Sequence, residues 1–181
     1  MELIETPLLD AKIIVPRVFE DERGYFYESF NEKSFNEKIG DYNFVQDNQS
    51  KSQKGVLRGL HFQNPPYEQG KLVRVLAGSV LDVIVDIRKN SPTYGKHFSY
   101  VLCAAKKHAL WVPPGFAHGF LTLEDETVFF YKVTNYYNKE SEGCIAYNSK
   151  DLGINWGIEN PILSEKDKNA STFATFLSKF Q

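Results

Sequence analysis

The sequence predicts an all-β fold, a jelly-roll β-barrel with short peripheral helices, and three observations carry that reading. Aromatic residues form 14% of the 181 residues, 14 Phe and 10 Tyr among them, and they crowd into short stretches where apolar and polar residues alternate. Such alternation marks a pleated strand with one face buried. Runs of this kind follow one another closely along most of the chain, the pattern of a sandwich or barrel. Helical periodicity is scarce.

Taken in order, the strand-like runs are 13–19, 24–30, 44–49, 55–62, 71–80, 81–87, 98–102, 109–112, 119–123, 128–137 and 143–147. Turn chemistry separates them: Asn64-Pro65-Pro66, Ala77-Gly78, Ser91-Pro92, Pro113-Pro114-Gly115 and Glu142-Gly143. Within 81–87, Leu81, Val83, Val85 and Ile87 share one face, while Asp82, Ile84 and Asp86 point the other way. Within 129–137, Tyr131, Val133, Asn135 and Tyr137 share a face. A regular strand would hold those two phenols roughly 20 Å apart, at ~3.3 Å per residue. That span suits the two ends of an extended ligand; an aromatic core ladder is the commoner use of such spacing. One short helix fits 31–39, stopped by Gly40. Ser164-Glu165-Lys166-Asp167 resembles a helix start, although a capping box places Glu or Gln where Asp167 stands.

Composition bounds the function. Lys+Arg 21 against Asp+Glu 23 gives a net charge of −2, with no basic footprint for nucleic acid. No apolar run approaches the ~20 residues of a membrane span. The acidic start Met1-Glu2-Leu3-Ile4-Glu5 is unlike a cationic secretory leader. Cys103 and Cys144 form neither a CxxC pair nor a disulfide framework. No repeat or composition break divides the chain. The expectation is one soluble, cytoplasmic domain over 1–181, with no nucleic-acid or membrane partner.

Among the four histidines, His97 and His108 sit beside charged residues typical of solvated turns, whereas His61 and His118 lie in apolar segments next to glycines. An imidazole in such surroundings needs partners, and a ligand cavity supplies them. No HxH or HxxxH pair advertises a metal centre, so no metal is expected. Cys103 and Cys144 read as small strand residues without a basic neighbour, and GxSxG, GxGxxG and GxxxxGK[ST] motifs are absent. What remains is a dispersed polar set, including Arg23, Glu28, Gln46, Asn48, Arg58, His61, Lys71, Arg74, His118, Tyr131 and Tyr137.

Around these residues the sequence resembles the dTDP-4-dehydrorhamnose 3,5-epimerases, the RmlC-type cupins. The resemblance is carried by Asp21-Glu22-Arg23-Gly24-Tyr25-Phe26-Tyr27-Glu28, Phe44-Val45-Gln46-Asp47-Asn48-Gln49-Ser50 and Gly55-Val56-Leu57-Arg58-Gly59-Leu60-His61-Phe62-Gln63. It continues through Gln69-Gly70-Lys71-Leu72-Val73-Arg74, Pro114-Gly115-Phe116-Ala117-His118-Gly119-Phe120, Tyr131-Lys132, Asn135-Tyr136-Tyr137 and Leu163-Ser164-Glu165-Lys166-Asp167. It implies a cupin-type jelly roll and an epimerase without metal or cofactor, acting on a dTDP-linked 4-keto-6-deoxy sugar as a homodimer. It further implies His61 as general base, Tyr131 as general acid, Asp167 as the carboxylate orienting His61, and Lys71 as the cation beside the C4 oxygen. The substrate-binding positions it implies are Arg23, Phe26, Glu28, Gln46, Asp47, Asn48, Arg58, His118 and Tyr137, with Glu142 and Lys168 as peripheral contacts.

The chemistry suits these residue types on its own terms. A proton beside a ketone is acidic only because its conjugate base is an enolate, so removing it near neutrality takes a placed base and a partner for the oxygen. Inversion also needs a donor on the opposite face. A diphosphate calls for arginine forks. Arg58 and His61 have opposite parity on a regular strand; either a bulge at Gly59 re-aims one of them or Arg58 serves a neighbouring subunit. The alternatives are a mono-epimerase, a non-catalytic sugar-nucleotide-binding cupin, and a metal-dependent cupin oxygenase.

Overall fold

A computed structural model describes residues 1–181. The strands are β1 (Glu2–Glu5), β2 (Lys12–Val15), β3 (Val18–Asp21), β4 (Gly24–Tyr27), β5 (Gln46–Ser52), β6 (Leu57–Gln63) and β7 (Lys71–Ala77). They continue as β8 (Ser79–Asp86), β9 (His97–Cys103), β10 (Ala109–Val112), β11 (Phe116–Thr122), β12 (Thr127–Val133) and β13 (Glu142–Cys144). The two α-helices, α1 (Glu32–Lys38) and α2 (Glu165–Lys168), are short. Neither is long and apolar enough to cross a membrane. A six-stranded antiparallel sheet runs β1-β2-β10-β7-β12-β5, a five-stranded one runs β13-β6-β11-β8-β9, and β3 pairs only with β4.

Period-two alternation explains how the sheets pack. Val73, Val75, Leu110 and Phe129 of the larger sheet meet Val80, Ile84, Leu102 and Phe120 of the smaller in one buried cluster. Each such side chain contributes roughly 1.5–3 kcal/mol by leaving water. The outer face of the smaller sheet, including Val83, Val85 and Ile87, is covered by the C-terminal segment through Ile145, Leu152, Trp156 and Phe180. On the larger sheet's outer face, Phe35 of α1 packs with Leu72 and Trp111. β8 therefore buries both faces. The aspartates that share a face with Ile84 look into the barrel, and Asp82 and Asp86 are fully buried. Asp86 is satisfied by Arg88, Ser91 and Thr93, which together close the turn after β8.

Several expected runs end earlier or divide. Run 13–19 splits at Pro16, which has no N–H to give a ladder, and β3 leaves the sheet with β4 as a hairpin. Run 71–80 splits at Gly78, whose φ of +75° turns the chain from one sheet into the other. Run 128–137 stops at Val133: Gly70 N–H donates to the Thr134 hydroxyl, and the Asn135 side chain accepts from the Tyr136 N–H in a local turn. The extended strand carrying Tyr131 and Tyr137 is thus not formed. The expected helices hold. Asn31 caps α1 by accepting from Ser34 N–H, and Ser164 caps α2 by accepting from Asp167 N–H.

Candidate active site

One register irregularity sets the site. β6 pairs with β11 so that His61 opposes His118 and Arg58 opposes Phe120, which leaves Gly119 alone on β11 facing both Gly59 and Leu60 on β6. The extra residue is the bulge that the opposed parity of Arg58 and His61 required, and it turns both side chains inward. Gly59 takes φ +127°, and a Cβ there would lie 2.5 Å from Gly119 Cα and 2.8 Å from His118 O, so only glycine fits.

Inward-facing residues of β5, β6, β7, β11 and β12 converge on a cavity of about 320 Å³. Its walls include Asn48, Arg58, His61, Lys71, His118 and Tyr131, with Tyr137 and Glu142 at the segment beyond β12. The two phenols reach one cavity after all, because the turn after Val133 brings Tyr137 back. Tyr137 Oη donates to Glu142 Oε2 at 3.4 Å.

His61 Nε2 lies 2.5 Å from Asp167 Oδ1. Ser164 Oγ donates to the other carboxylate oxygen at 2.7 Å. Burial raises the Asp167 carboxyl, but the hydrogen bonds from His61 and Ser164 outweigh it and hold the group below its ordinary value. Burial pushes His61 below its ordinary value despite the bond to Asp167, which favours a neutral ring near pH 7. With Nε2–H given to Asp167, Nδ1 is the nitrogen left with a lone pair.

Lys71 is buried on β7, and its Nζ donates to the His61 carbonyl at 3.2 Å. Burial brings it down to about 8, with the Asp82 charge opposing the fall. Asp82 is itself fully buried and accepts from His118 Nε2 at 3.0 and 3.1 Å through its two oxygens. Tyr131 opposes Asn48 across the β12–β5 ladder. Burial raises its phenol, only partly offset by Arg58, so it keeps its proton across the neutral range. Arg58 donates to Ser52 Oγ through Nε and Nη2, leaving the Nη1 edge of its fork free.

Other expected residues lie elsewhere. Arg23 is exposed and paired with Asp21 at 2.5 Å near the β3–β4 turn. Phe26 and Glu28 line a second cavity of about 340 Å³ between the hairpin and the larger sheet. Gln46 donates to Asn48 at 2.8 Å and supports the wall. Asp47 has the opposite parity, faces the outer side of β5 and pairs with Lys132 at 2.7 Å. Lys168 pairs with Glu165 at 2.6 Å on the surface. Sequence reasoning gave no role to Ser164 or Asp82. A cap hydroxyl and an aspartate within an apolar strand were the signals for them. Nor did it foresee that His61, Cys144 and Asp167 place their donor atoms within 4.8 Å of one another, since they come from three separate elements.

The arrangement can take a proton from a carbon acid at one side, neutralise an oxyanion, and return a proton from a phenol. Comparisons with known proteins identify the family. The family model described as dTDP-4-dehydrorhamnose 3,5-epimerase matches residues 5–175. The chain is similar to a dTDP-4-dehydrorhamnose 3,5-epimerase of Shigella flexneri, 54% identical over 174 residues and 96% of each chain. A crystal structure of such an epimerase from Elizabethkingia anophelis superposes with a TM-score of 0.92 at 54% identity, covering 96% of this chain and 97% of that one. A dTDP-6-deoxy-D-glucose-3,5-epimerase from Legionella pneumophila, in complex with dTDP-4-keto-L-rhamnose, gives a TM-score of 0.94 at 47% identity, covering 99% and 98%. These neighbours share the cupin-like β fold described above.

Proposed function

The chain belongs to the dTDP-4-dehydrorhamnose 3,5-epimerase family and is an isomerase converting dTDP-4-dehydro-6-deoxy-D-glucose to dTDP-4-dehydro-L-rhamnose; we propose that His61, Lys71 and Tyr131 perform the proton transfers. Neutral His61 Nδ1 takes the proton from C5, and the electron pair of the broken C–H bond delocalises onto the C4 oxygen. The Lys71 ammonium neutralises that enolate oxygen in a water-poor site. Tyr131 then delivers its proton to the opposite face of the same carbon; the imidazolium gives its proton to solvent, the phenolate takes one back, and the cycle repeats at C3. Asp167 fixes the His61 tautomer and supports the imidazolium that forms. Arg58 takes the diphosphate, with His118, Asn48 and Tyr137 along the remaining wall.

The single observation carrying this reading is the His61–Asp167 bond, which leaves Nδ1 as the available lone pair in a cavity that also holds Lys71 and Tyr131. Solvent-deuterium uptake tests it. Incubation with dTDP-4-keto-6-deoxyglucose in heavy water is expected to place deuterium at both C3 and C5 of the product. Label at one carbon only would make the enzyme a mono-epimerase, and none, with nucleotide binding intact, would make it a binding protein.

The same reading treats 1–181 as one catalytic domain, places it in the cytoplasm in line with two unpaired thiols, and makes it a homodimer. The β3–β4 hairpin joins neither large sheet and exposes Phe19, Tyr25 and Phe26, the last to 70%. Exposed aromatics on a projecting ribbon mark an interaction surface. Arg23, Phe26 and Glu28 lie on or next to it, away from this chain's own cavity, and a partner's site is the place where their chemistry fits. Sedimentation equilibrium is expected to return twice the 20.8 kDa chain mass; a monomer mass in fully active enzyme removes the dimer and the shared site.

A further inference from the structure

We infer that the donors behind the His61 ring form a site for a borderline-soft divalent ion such as Zn²⁺ or Co²⁺, and that filling it switches off proton abstraction. The inhibitory consequence rests on the reading of His61 as the base; the site itself does not. One donor atom from each of His61, Cys144 and Asp167 lies within 4.8 Å of the other two, with Asp167 Oδ1 in contact with both His61 Nε2 and Cys144 Sγ. No spacing motif announces them because they meet through pairing: Cys144 of β13 stands opposite His61 of β6, and α2 brings Asp167 between them.

The separations are close to what a metal needs. Tetrahedral zinc, with bonds of about 2.3 Å to sulfur and 2.0–2.2 Å to nitrogen and oxygen, holds its donors roughly 3.3–3.8 Å apart. Cys144 Sγ is 3.7 Å from Asp167 Oδ1 and already meets that spacing. The 2.5 Å His61–Asp167 pair must open by roughly 1 Å. It does so because the metal replaces the proton that draws the two together. Ser164 Oγ on Asp167 Oδ2 supplies the outer hydrogen bond that orients a ligating carboxylate. Three protein donors leave a fourth position for water. The nearby Lys166 ammonium is engaged by Glu142, which reduces its repulsion of a cation.

Proton bookkeeping gives the consequence. The ion takes the Nε2 lone pair, and the ring proton moves to Nδ1. The Cys144 thiol releases its proton to solvent, so one proton leaves per ion bound. An Nδ1–H has no lone pair to accept the C5 proton, and the enzyme stops turning over with its nucleotide pocket intact.

Cobalt absorption and zinc inhibition of the full chain test this together. Co²⁺ is expected to produce thiolate-to-cobalt charge-transfer absorption in the wild-type protein, with none in Cys144→Ser. Zn²⁺ is expected to inhibit wild-type turnover reversibly, with activity restored by EDTA. The half-inhibitory concentration should rise in Cys144→Ser, when each protein is scored against its own metal-free rate, by at least the roughly 10–100-fold that loss of a mere outer hydrogen-bonding partner costs a metal site. Cys144→Ala repeats the comparison, and dTDP binding reports that each variant is folded. No charge-transfer band in the wild type, a band that survives loss of Cys144, or equal zinc sensitivity in all three proteins overturns the site. A band without any metal-free epimerase activity leaves the site standing and removes the functional reading instead.

Discussion

His61→Ala is expected to lower kcat by about 10²–10⁴-fold, the usual worth of a placed general base, while dTDP affinity changes little. At ~1.4 kcal/mol per tenfold this is roughly 3–5 kcal/mol of transition-state stabilisation. The alanine removes Nδ1 but spares Arg58, whose guanidinium is held by Ser52, and Tyr137, which Glu142 positions. The pH profile supplies a second signature. Wild-type kcat/KM should rise with pH on a limb below the ordinary histidine value, because burial lowers His61 and only its neutral form accepts a proton. It should fall as pH passes about 8, where buried Lys71 loses the proton that lets it neutralise an enolate. In the variant the acidic limb disappears and the alkaline one remains. Turnover within a fewfold of wild type, or an unchanged acidic limb, would place the base elsewhere.

Much of the architecture was legible because alternation is a local signal. The β8 stretch announced its two faces, and Asn31 and Gly40 bracketed α1 as their chemistry demands. The opposed parity of Arg58 and His61 was legible as a problem, and Gly59 as its solution. The failures are non-local. Nothing within 128–137 says that Thr134 will meet Gly70, far away in sequence and just ahead of β7, so the run reads as one strand until that contact cuts it at Val133. Parity placed Asn48 and Asp47 on opposite faces, which the resemblance alone did not distinguish. Asp82 stayed without a role because an aspartate in a strand reads as solvent-facing until both faces of that strand prove to be covered. The displaced hairpin residues have no local cause at all. Arg23 carries its charge on the surface, where its partner is Asp21 of the same hairpin.

Tyr131→Phe separates the two halves of the mechanism and is expected to slow inversion by about 10²–10⁴-fold without stopping exchange. The ring stays in place, since it packs against Phe129 with centroids 6.1 Å apart and the hydroxyl contributes nothing to that contact. What is lost is a donor that burial keeps protonated across the neutral range. His61 still removes the C5 proton, and Lys71 still holds the enolate. The imidazolium trades its proton with heavy water and returns deuterium to the face it came from. Substrate recovered from the variant should therefore carry deuterium at C5 with its original configuration, whereas in the wild type label and inversion arrive together. A single base that takes and returns a proton on one face exchanges without epimerising; two groups on opposite faces make exchange and inversion the same event. Inversion at wild-type rate in the variant would assign the acid to another group. Loss of both exchange and inversion would mean that Tyr131 acts in abstraction, and the roles of His61 and Tyr131 would have to be reversed.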